Sequence, residues 1–111
     1  MLPFEVVVLL IDYLGIGTML NANENYVEKQ LKNADAGVPY DQFRAGLLFA
    51  TGESVPQDLV AAHKWFNLAA MNGIEEAREN RAEISMDMSS QEIAKAQKLA
   101  REWIMSHRAL S

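Results

Sequence analysis

Residues 46–73 read GLLFATGESVPQDLVAAHKWFNLAAMNG, and this stretch carries the clearest structural pattern in the chain. The pattern predicts the end of one helix, a tight loop, and a second helix that stops at Gly73. Residues 34–37, ADAG, align with residues 70–73, AMNG, at a spacing of 36 positions. A unit that recurs at this interval cannot bury its apolar face alone, so we expect it to stack on a neighbouring unit, as in a helical solenoid.

The first helix of this unit is expected to begin near Pro39, because proline is favoured in the opening turn of a helix. Phe43, Gly46 and Leu47 share one face of that helix. Glycine in mid-helix costs about 1 kcal/mol relative to alanine, and we expect the close approach of a neighbouring helix to compensate at Gly46. Gly52 is expected to end the helix, since glycine adopts a left-handed C-terminal conformation without penalty.

A second helix is predicted over about residues 58–71, with Asp58 capping its N-terminus. Its apolar stripe consists of Leu59, Ala62, Phe66, Ala69 and Ala70, and Trp65 widens it. Val55 and Pro56 are expected to fill and stiffen the preceding loop. Because small alanines alternate with large aromatic side chains, the two helices of the unit can pack closely.

The following unit is shorter and less regular. A helix over about residues 74–85 is predicted, with apolar positions at Ala77, Ala82 and Ile84. Ser89 and Glu92 form a capping box ahead of the last helix, about residues 90–107. A long closing helix with a charged outer face is typical of the cap of a solenoid.

These elements predict an all-α fold, a short right-handed superhelical solenoid of stacked antiparallel helix pairs. We interpret residues 1–111 as a single repeat domain. Residues 1–36 hold N-terminal helices, and a partial match at an offset of 35 positions suggests that they are a degenerate unit. Residues 37–73 form the best-preserved repeat, and residues 74–107 form a degenerate C-terminal capping repeat. Roughly six helices in three antiparallel pairs are expected.

Charge and cysteine content restrict the classes of partner and site. The 111 residues include 10 Lys and Arg against 15 Asp and Glu, which gives a formal net charge of −5. Nucleic acid is not an expected partner, because phosphate binding depends on clustered Lys and Arg. The chain has no cysteine, so disulfides and thiolate metal sites are excluded.

The apolar run at residues 4–14 allows several interpretations. No Lys or Arg precedes Lys29, unlike in a secretory signal, and Glu5 and Asp12 would each cost about 2.5–3.5 kcal/mol inside a bilayer. A cytoplasmic location is therefore expected, or a periplasmic one if a leader was removed. The run is interpreted as a buried first helix, as a surface that docks a partner or a second copy, or, through residues 4–20, as a peripheral membrane attachment.

Residues 46–73 resemble the Sel1-like repeat, a relative of the tetratricopeptide repeat. That family combines a helix ending in an aromatic residue, a Gly-x-x-Val-x-x-Asp loop, an Ala-x-x-Trp-aromatic pair and an Ala-Ala-x-x-Gly ending. The matching positions are Phe49, Gly52, Val55, Asp58, Ala62, Trp65, Phe66, Ala69, Ala70 and Gly73. Asp41 stands where the family prefers alanine, and Ala45 and Arg81 stand where it prefers leucine. The resemblance implies a helical solenoid that bridges or regulates other proteins, mostly in bacteria for short single-domain forms, without catalytic residues of its own.

The side chains that could support catalysis form no recognisable constellation. His63 and His107 lie 44 positions apart and lack the carboxylate spacing of a zinc site, so they are interpreted as surface or helix-seam histidines. Glu76, Glu79 and Glu83 alternate with arginines, a pattern typical of a solvated, salt-bridged helix face. We therefore expect no catalytic, cofactor-binding or metal-binding residues.

The favoured hypothesis is a non-catalytic adaptor or scaffold that binds a partner protein or peptide on its concave or N-terminal apolar surface. The first helix of each pair would line the concave surface. The candidate contact residues there are Gln42, Phe43, Arg44, Leu47, Glu79, Asn80 and Glu83. The alternative is a structural subunit of a homo-oligomer or larger complex, anchored by the apolar N-terminal segment.

Overall fold

The computed structural model describes residues 24–108, together with Pro3 and Val6. Five α-helices make up most of residues 24–108, and no strand occurs among the described residues. In chain order they are α1 (Glu24–Asp35), α2 (Pro39–Thr51), α3 (Leu59–Met71), α4 (Glu75–Ser85) and α5 (Ser90–Arg108). The all-α prediction is confirmed for this part of the chain. The helix and the docking surface expected over residues 4–20 lie outside the described residues, apart from Val6.

The loop between α2 and α3 has the local structure that its sequence predicts. α2 begins at Pro39 and ends at Gly52, whose φ of 75° is left-handed and whose N–H donates to the Leu48 carbonyl. Asp58 caps α3, because its carboxylate accepts a hydrogen bond from the Ala61 N–H at 3.0 Å. Both helix ends therefore obtain partners for backbone groups that have none inside the helix.

The capping box before α5 is also confirmed. The Ser89 N–H donates to Glu92 Oε1 at 2.9 Å, and the Glu92 N–H donates to Ser89 Oγ at 3.1 Å. These reciprocal hydrogen bonds satisfy two N–H groups at the start of the helix. The boundary of α5 is thus determined by interactions between residues three positions apart.

α2 and α3 run antiparallel and make the most extensive helix contact among the described residues. At one end of the pair, the Asp58 N–H donates to the Phe49 carbonyl at 2.9 Å. At the other end, Asn72 Nδ2 donates to Gln42 Oε1 at 3.2 Å. The predicted helical hairpin over residues 37–73 is therefore present.

Gly46 brings the two helices of this hairpin together. A Cβ atom at Gly46 would overlap the ring of Phe66, which has no exposed surface. The ring of Phe66 therefore lies directly on the backbone of α2, where a side chain would otherwise be. This close approach compensates for glycine's low helix propensity, as the sequence predicts.

α3 is the central helix of the described fold, because α2, α4 and α5 all pack against it. One core cluster joins α3 to α1, α2 and α4, and consists of Val27, Leu47, Leu48, Ala50, Ala62, Phe66, Ala69, Ala77 and Ile84. A second cluster joins α3 to α1, α2 and α5, and consists of Ala34, Ala45, Trp65, Leu68 and Ala100. Different faces of α3 thus contribute to two apolar clusters.

The predicted second helix pair differs from the first. α4 and α5 follow one another in the chain, yet they do not pack closely, and each contacts α3 instead. α4 buries Ala77 and Ile84 in the cluster with α3, whereas Ala82, which we expected to be apolar packing surface, is exposed. A helix with one narrow apolar face can cover only one neighbour well, and in α4 that neighbour is α3.

The C-terminal ends of α1 and α5 meet. Trp103 Nε1 donates to Asp35 Oδ1 at 3.1 Å, and the His107 ring stacks on the Trp103 ring with centroids 3.8 Å apart. Gly37 lies under the same indole, since a Cβ there would be 3.6 Å from the Trp103 ring. In a regular solenoid each unit contacts only its neighbours. This contact links the first and the last of the described helices, so the superhelical arrangement stays a prediction.

We expect Gly46→Ala to destabilise the protein, although alanine is the better helix former. The propensity gain of about 1 kcal/mol is opposed by overpacking against a buried ring, which typically costs about 1–3 kcal/mol. Urea unfolding followed by circular dichroism measures the difference. Phe66→Leu makes room for the added methyl group, so the double variant should lose less stability than the two single variants summed. A higher unfolding free energy for Gly46→Ala alone would contradict this account.

Candidate functional site

The structure divides the predicted contact residues into buried and accessible ones. Gln42, Leu47 and Asn80 are 0%, 6% and 8% exposed. They are therefore unavailable to a partner in this conformation, which corrects the expected contact surface. Phe43, Arg44 and Glu83 are half-buried, and Glu79 is exposed.

Gln42 is buried because α2 is covered on two sides, by α1 and by α3. Its Nε2 donates to the Ala34 carbonyl at 3.3 Å, and its Oε1 accepts from Asn72 Nδ2 at 3.2 Å. The side chain thus links the ends of α1 and α3 to α2. Helical periodicity shows an apolar face, but it does not show that a polar residue beside that face is covered by a second helix.

A cleft of about 230 Å³ lies between α1 and α2. Its lining residues are Tyr26, Lys29, Gln30, Asn33, Asp41 and Arg44. Of these, Arg44 alone is one of the contact residues predicted from the sequence. The spacing of Tyr26, Gln30 and Asn33 follows one helix face and could have indicated the others. A polar helix face is usually solvated, however, so spacing alone gives little reason to select it.

Arg44 is held between tyrosines from both helices. Its Nη1 donates to the Tyr26 hydroxyl at 3.3 Å, and its guanidinium lies 4.9 Å from the centre of the Tyr40 ring. On the other wall of the cleft, Gln30 Nε2 donates to Asp41 Oδ1 at 2.7 Å. The cleft therefore presents an oriented cation close to a carboxylate that already has a hydrogen-bond donor.

An aromatic series extends from the surface beside this cleft into the core. Tyr40 is 54% exposed, and its ring centroid is 5.9 Å from that of Phe43. The Phe43 ring is in turn 6.1 Å from Phe66, which is fully buried. Val38, 42% exposed, precedes the series in the chain. We call Val38, Tyr40, Phe43 and Arg44 the Tyr40 surface.

The two histidines occupy different environments. His63 is buried, and its Nδ1 has no hydrogen-bond partner among the described residues. Burial lowers the pKa of His63, and the positive charge of Arg81 lowers it further. Nδ1 of His107 donates to the Trp103 carbonyl at 2.8 Å, and its Nε2 lies 3.8 Å from Asp35 Oδ1.

Neither a metal site nor a membrane-spanning helix is found among the described residues. Within residues 24–108, no three His, Asp or Glu side chains are grouped so that they could hold a metal ion. In the same part of the chain, no helix combines the length and the apolar character of a membrane span. On α4, Glu75 lies 3.8 Å from Arg78, whereas Glu76, Glu79 and Glu83 form no ion pair among the described residues.

The comparisons with known proteins return no match. No family model matches the chain, and neither a curated protein nor a solved structure shows significant similarity to it. The resemblance to the Sel1-like repeat therefore depends on the residues quoted for it above.

We expect acid to weaken the fold through His63. In the unfolded chain its pKa is near 6.5, and in the folded chain it is lower. Between these values the unfolded chain binds more protons, so the free energy of unfolding falls as pH falls through that window. Urea unfolding at pH 7.5 and at acidic pH measures the change. His63→Leu should reduce this acid dependence, whereas His107→Gln should retain the part that His63 causes. An unchanged pH dependence in His63→Leu would contradict the assignment.

Proposed function

We propose that this chain is a non-catalytic interaction module that binds a peptide segment of a partner protein on the Tyr40 surface. The observation that carries the proposal is the exposed Tyr40 ring with the Arg44 guanidinium 4.9 Å from its centre. Tyrosine and arginine are the residue types enriched in the energetic centres of protein interfaces. Here they lie side by side next to a cleft.

The size of the cleft supports a protein partner. Its volume of about 230 Å³ is below the roughly 300–1,000 Å³ typical of small-molecule sites. A space of this size suits one side chain of a larger ligand. The partner's remaining contacts would then lie outside the cleft, on the exposed part of the Tyr40 surface.

The Tyr40 surface is also preorganised. Phe43 contacts the fully buried Phe66, and Arg44 has a hydrogen bond to Tyr26 as well as its contact with Tyr40. Side chains already held in place lose less conformational entropy when a partner binds. The surface therefore favours binding more than equally exposed but unsupported side chains would.

The architecture that we propose around this surface is a short right-handed superhelical solenoid. The α2–α3 hairpin supports it, because the Gly52–Asp58 loop and the Gly46–Phe66 contact have the local structure expected of such a unit. The alternative function, a structural subunit of a homo-oligomer or larger complex anchored by the apolar N-terminal segment, concerns residues that, apart from Pro3 and Val6, lie outside the described ones. A cytoplasmic location likewise stays a prediction.

We expect Tyr40→Ala to weaken peptide binding by about 30-fold or more, because truncating an interface anchor costs about 2 kcal/mol or more. Peptides are first selected from a displayed random library on the wild-type protein, and their dissociation constants are then measured by fluorescence anisotropy. Tyr40 is more than half exposed, so circular dichroism and the unfolding midpoint should change little.

The matched control is Met105→Ala, which truncates a side chain that is 70% exposed on α5. It should bind the same peptides as well as the wild type does. Peptides that bind Tyr40→Ala and the wild type equally well would show that the Tyr40 surface is not the binding site.

A further inference from the structure

We propose that the cleft between α1 and α2 binds the carboxylate of a glutamate or aspartate side chain in the partner's peptide segment. This inference rests on the proposed function and assigns a chemical class to one residue of the ligand. It is carried by the charges in the cleft, by the hydrogen bond that Asp41 already accepts, and by the way Arg44 is held.

Within residues 26–108, two cations that line the cleft have no anionic partner. No carboxylate oxygen of that range lies within 4.0 Å of a side-chain nitrogen of Lys29 or Arg44. Lys64, Arg81, Lys95 and Arg101 likewise have no ion pair among the described residues, so what distinguishes Lys29 and Arg44 is that both line the same cleft. Elsewhere in the described chain, ion pairs join Lys32 to Glu28, Arg78 to Glu75 and Lys98 to Glu102.

Asp41 offsets only part of this positive charge. Its Oδ1 accepts a hydrogen bond from Gln30 at 2.7 Å, and it lies in the first turn of α2, where the helix dipole favours a carboxylate. Lys29 and Arg44 together exceed Asp41 by one positive charge. A single carboxylate balances that excess, whereas a phosphate group of about −1.5 to −2 charge would exceed it and be repelled by Asp41.

Arg44 is positioned to meet a planar anion. A guanidinium has five N–H donors in a rigid fork that matches a carboxylate with two parallel hydrogen bonds. The one hydrogen bond that Arg44 makes within the described chain uses Nη1 toward Tyr26. The Tyr40 ring beside the guanidinium supplies apolar surface for the methylene groups that precede the incoming carboxylate.

The test is a double-mutant cycle between peptide and protein. The probe is a library-selected peptide that contains one acidic residue, together with its Glu→Gln or Asp→Asn counterpart. On the wild-type protein the neutral peptide should bind about 10-fold more weakly, because it loses a hydrogen bond between charged groups, which is stronger than one between neutral groups. On Arg44→Gln the difference between the two peptides should shrink to the part that Lys29 supplies, because the cycle isolates the contact between the carboxylate and Arg44.

Two further protein variants make the cycle specific. Arg44→Lys keeps the charge but loses the planar fork, so it should show a smaller difference between the acidic and neutral peptides than the wild type does. Arg101→Gln removes an exposed arginine on α5 and should leave the about 10-fold difference intact. Because the peptide substitutions do not touch the protein, the comparison on the wild type stays valid if a protein variant folds poorly.

The outcomes separate this inference from the proposed function. Peptides whose binding depends on Tyr40 but which show no acidic preference would overturn the carboxylate assignment and leave the interaction surface standing. A phosphoserine peptide that binds about 10-fold more tightly than its glutamate equivalent would reassign the cleft to phosphate. An acidic preference that persists fully in Arg44→Gln would show that Arg44 is not the recognising group.

Discussion

The contact of the Phe66 ring with the backbone of α2 at Gly46 is the constraint on which the rest of the fold depends. It brings α3 so close to α2 that α3 becomes the central helix, with α4 and α5 packed on its other faces. The same approach, together with the packing of α1, buries six residues of α2, which are Gln42, Ala45, Gly46, Leu47, Leu48 and Ala50. What stays accessible on α2 is a narrow edge, and that edge carries Tyr40 and Arg44.

The boundaries of the helices could be predicted because short-range interactions determine them. Asp58 caps α3 through the N–H three positions later, and Ser89 and Glu92 cap α5 through each other. The separation of α4 from α5 and the hydrogen bond between Asp35 and Trp103 could not be predicted in this way. Periodicity identifies the apolar face of a helix, but many helices could cover that face, and only the packing of the whole chain selects one.

The candidate site was predicted in part for the same reason. Arg44 was selected from its position beside the apolar face of α2, and it does line the cleft. Gln42 lies two positions before it and is fully buried, because its amide bonds to groups on two neighbouring helices. An amide side chain beside an apolar helix face can be hydrogen-bonded either to solvent or to buried protein groups, and the sequence pattern does not distinguish these two environments. The residues that α1 contributes were missed because the pairing of α1 with α2 is a tertiary feature.

The charge balance of the chain constrains what the proposed site can select. At physiological ionic strength, exposed charges more than about 8 Å apart are largely screened. The net charge of −5 therefore only weakly repels an acidic peptide that approaches the protein. Lys29 and Arg44 act at contact distance and favour one carboxylate there. A strongly acidic segment would gain a single favourable contact and leave its other charges beside an acidic protein. A segment with one acidic residue among apolar ones would gain that contact and would also pack its apolar side chains on the Tyr40 surface. The proposed site would therefore prefer segments with a single acidic residue to segments with several in a row.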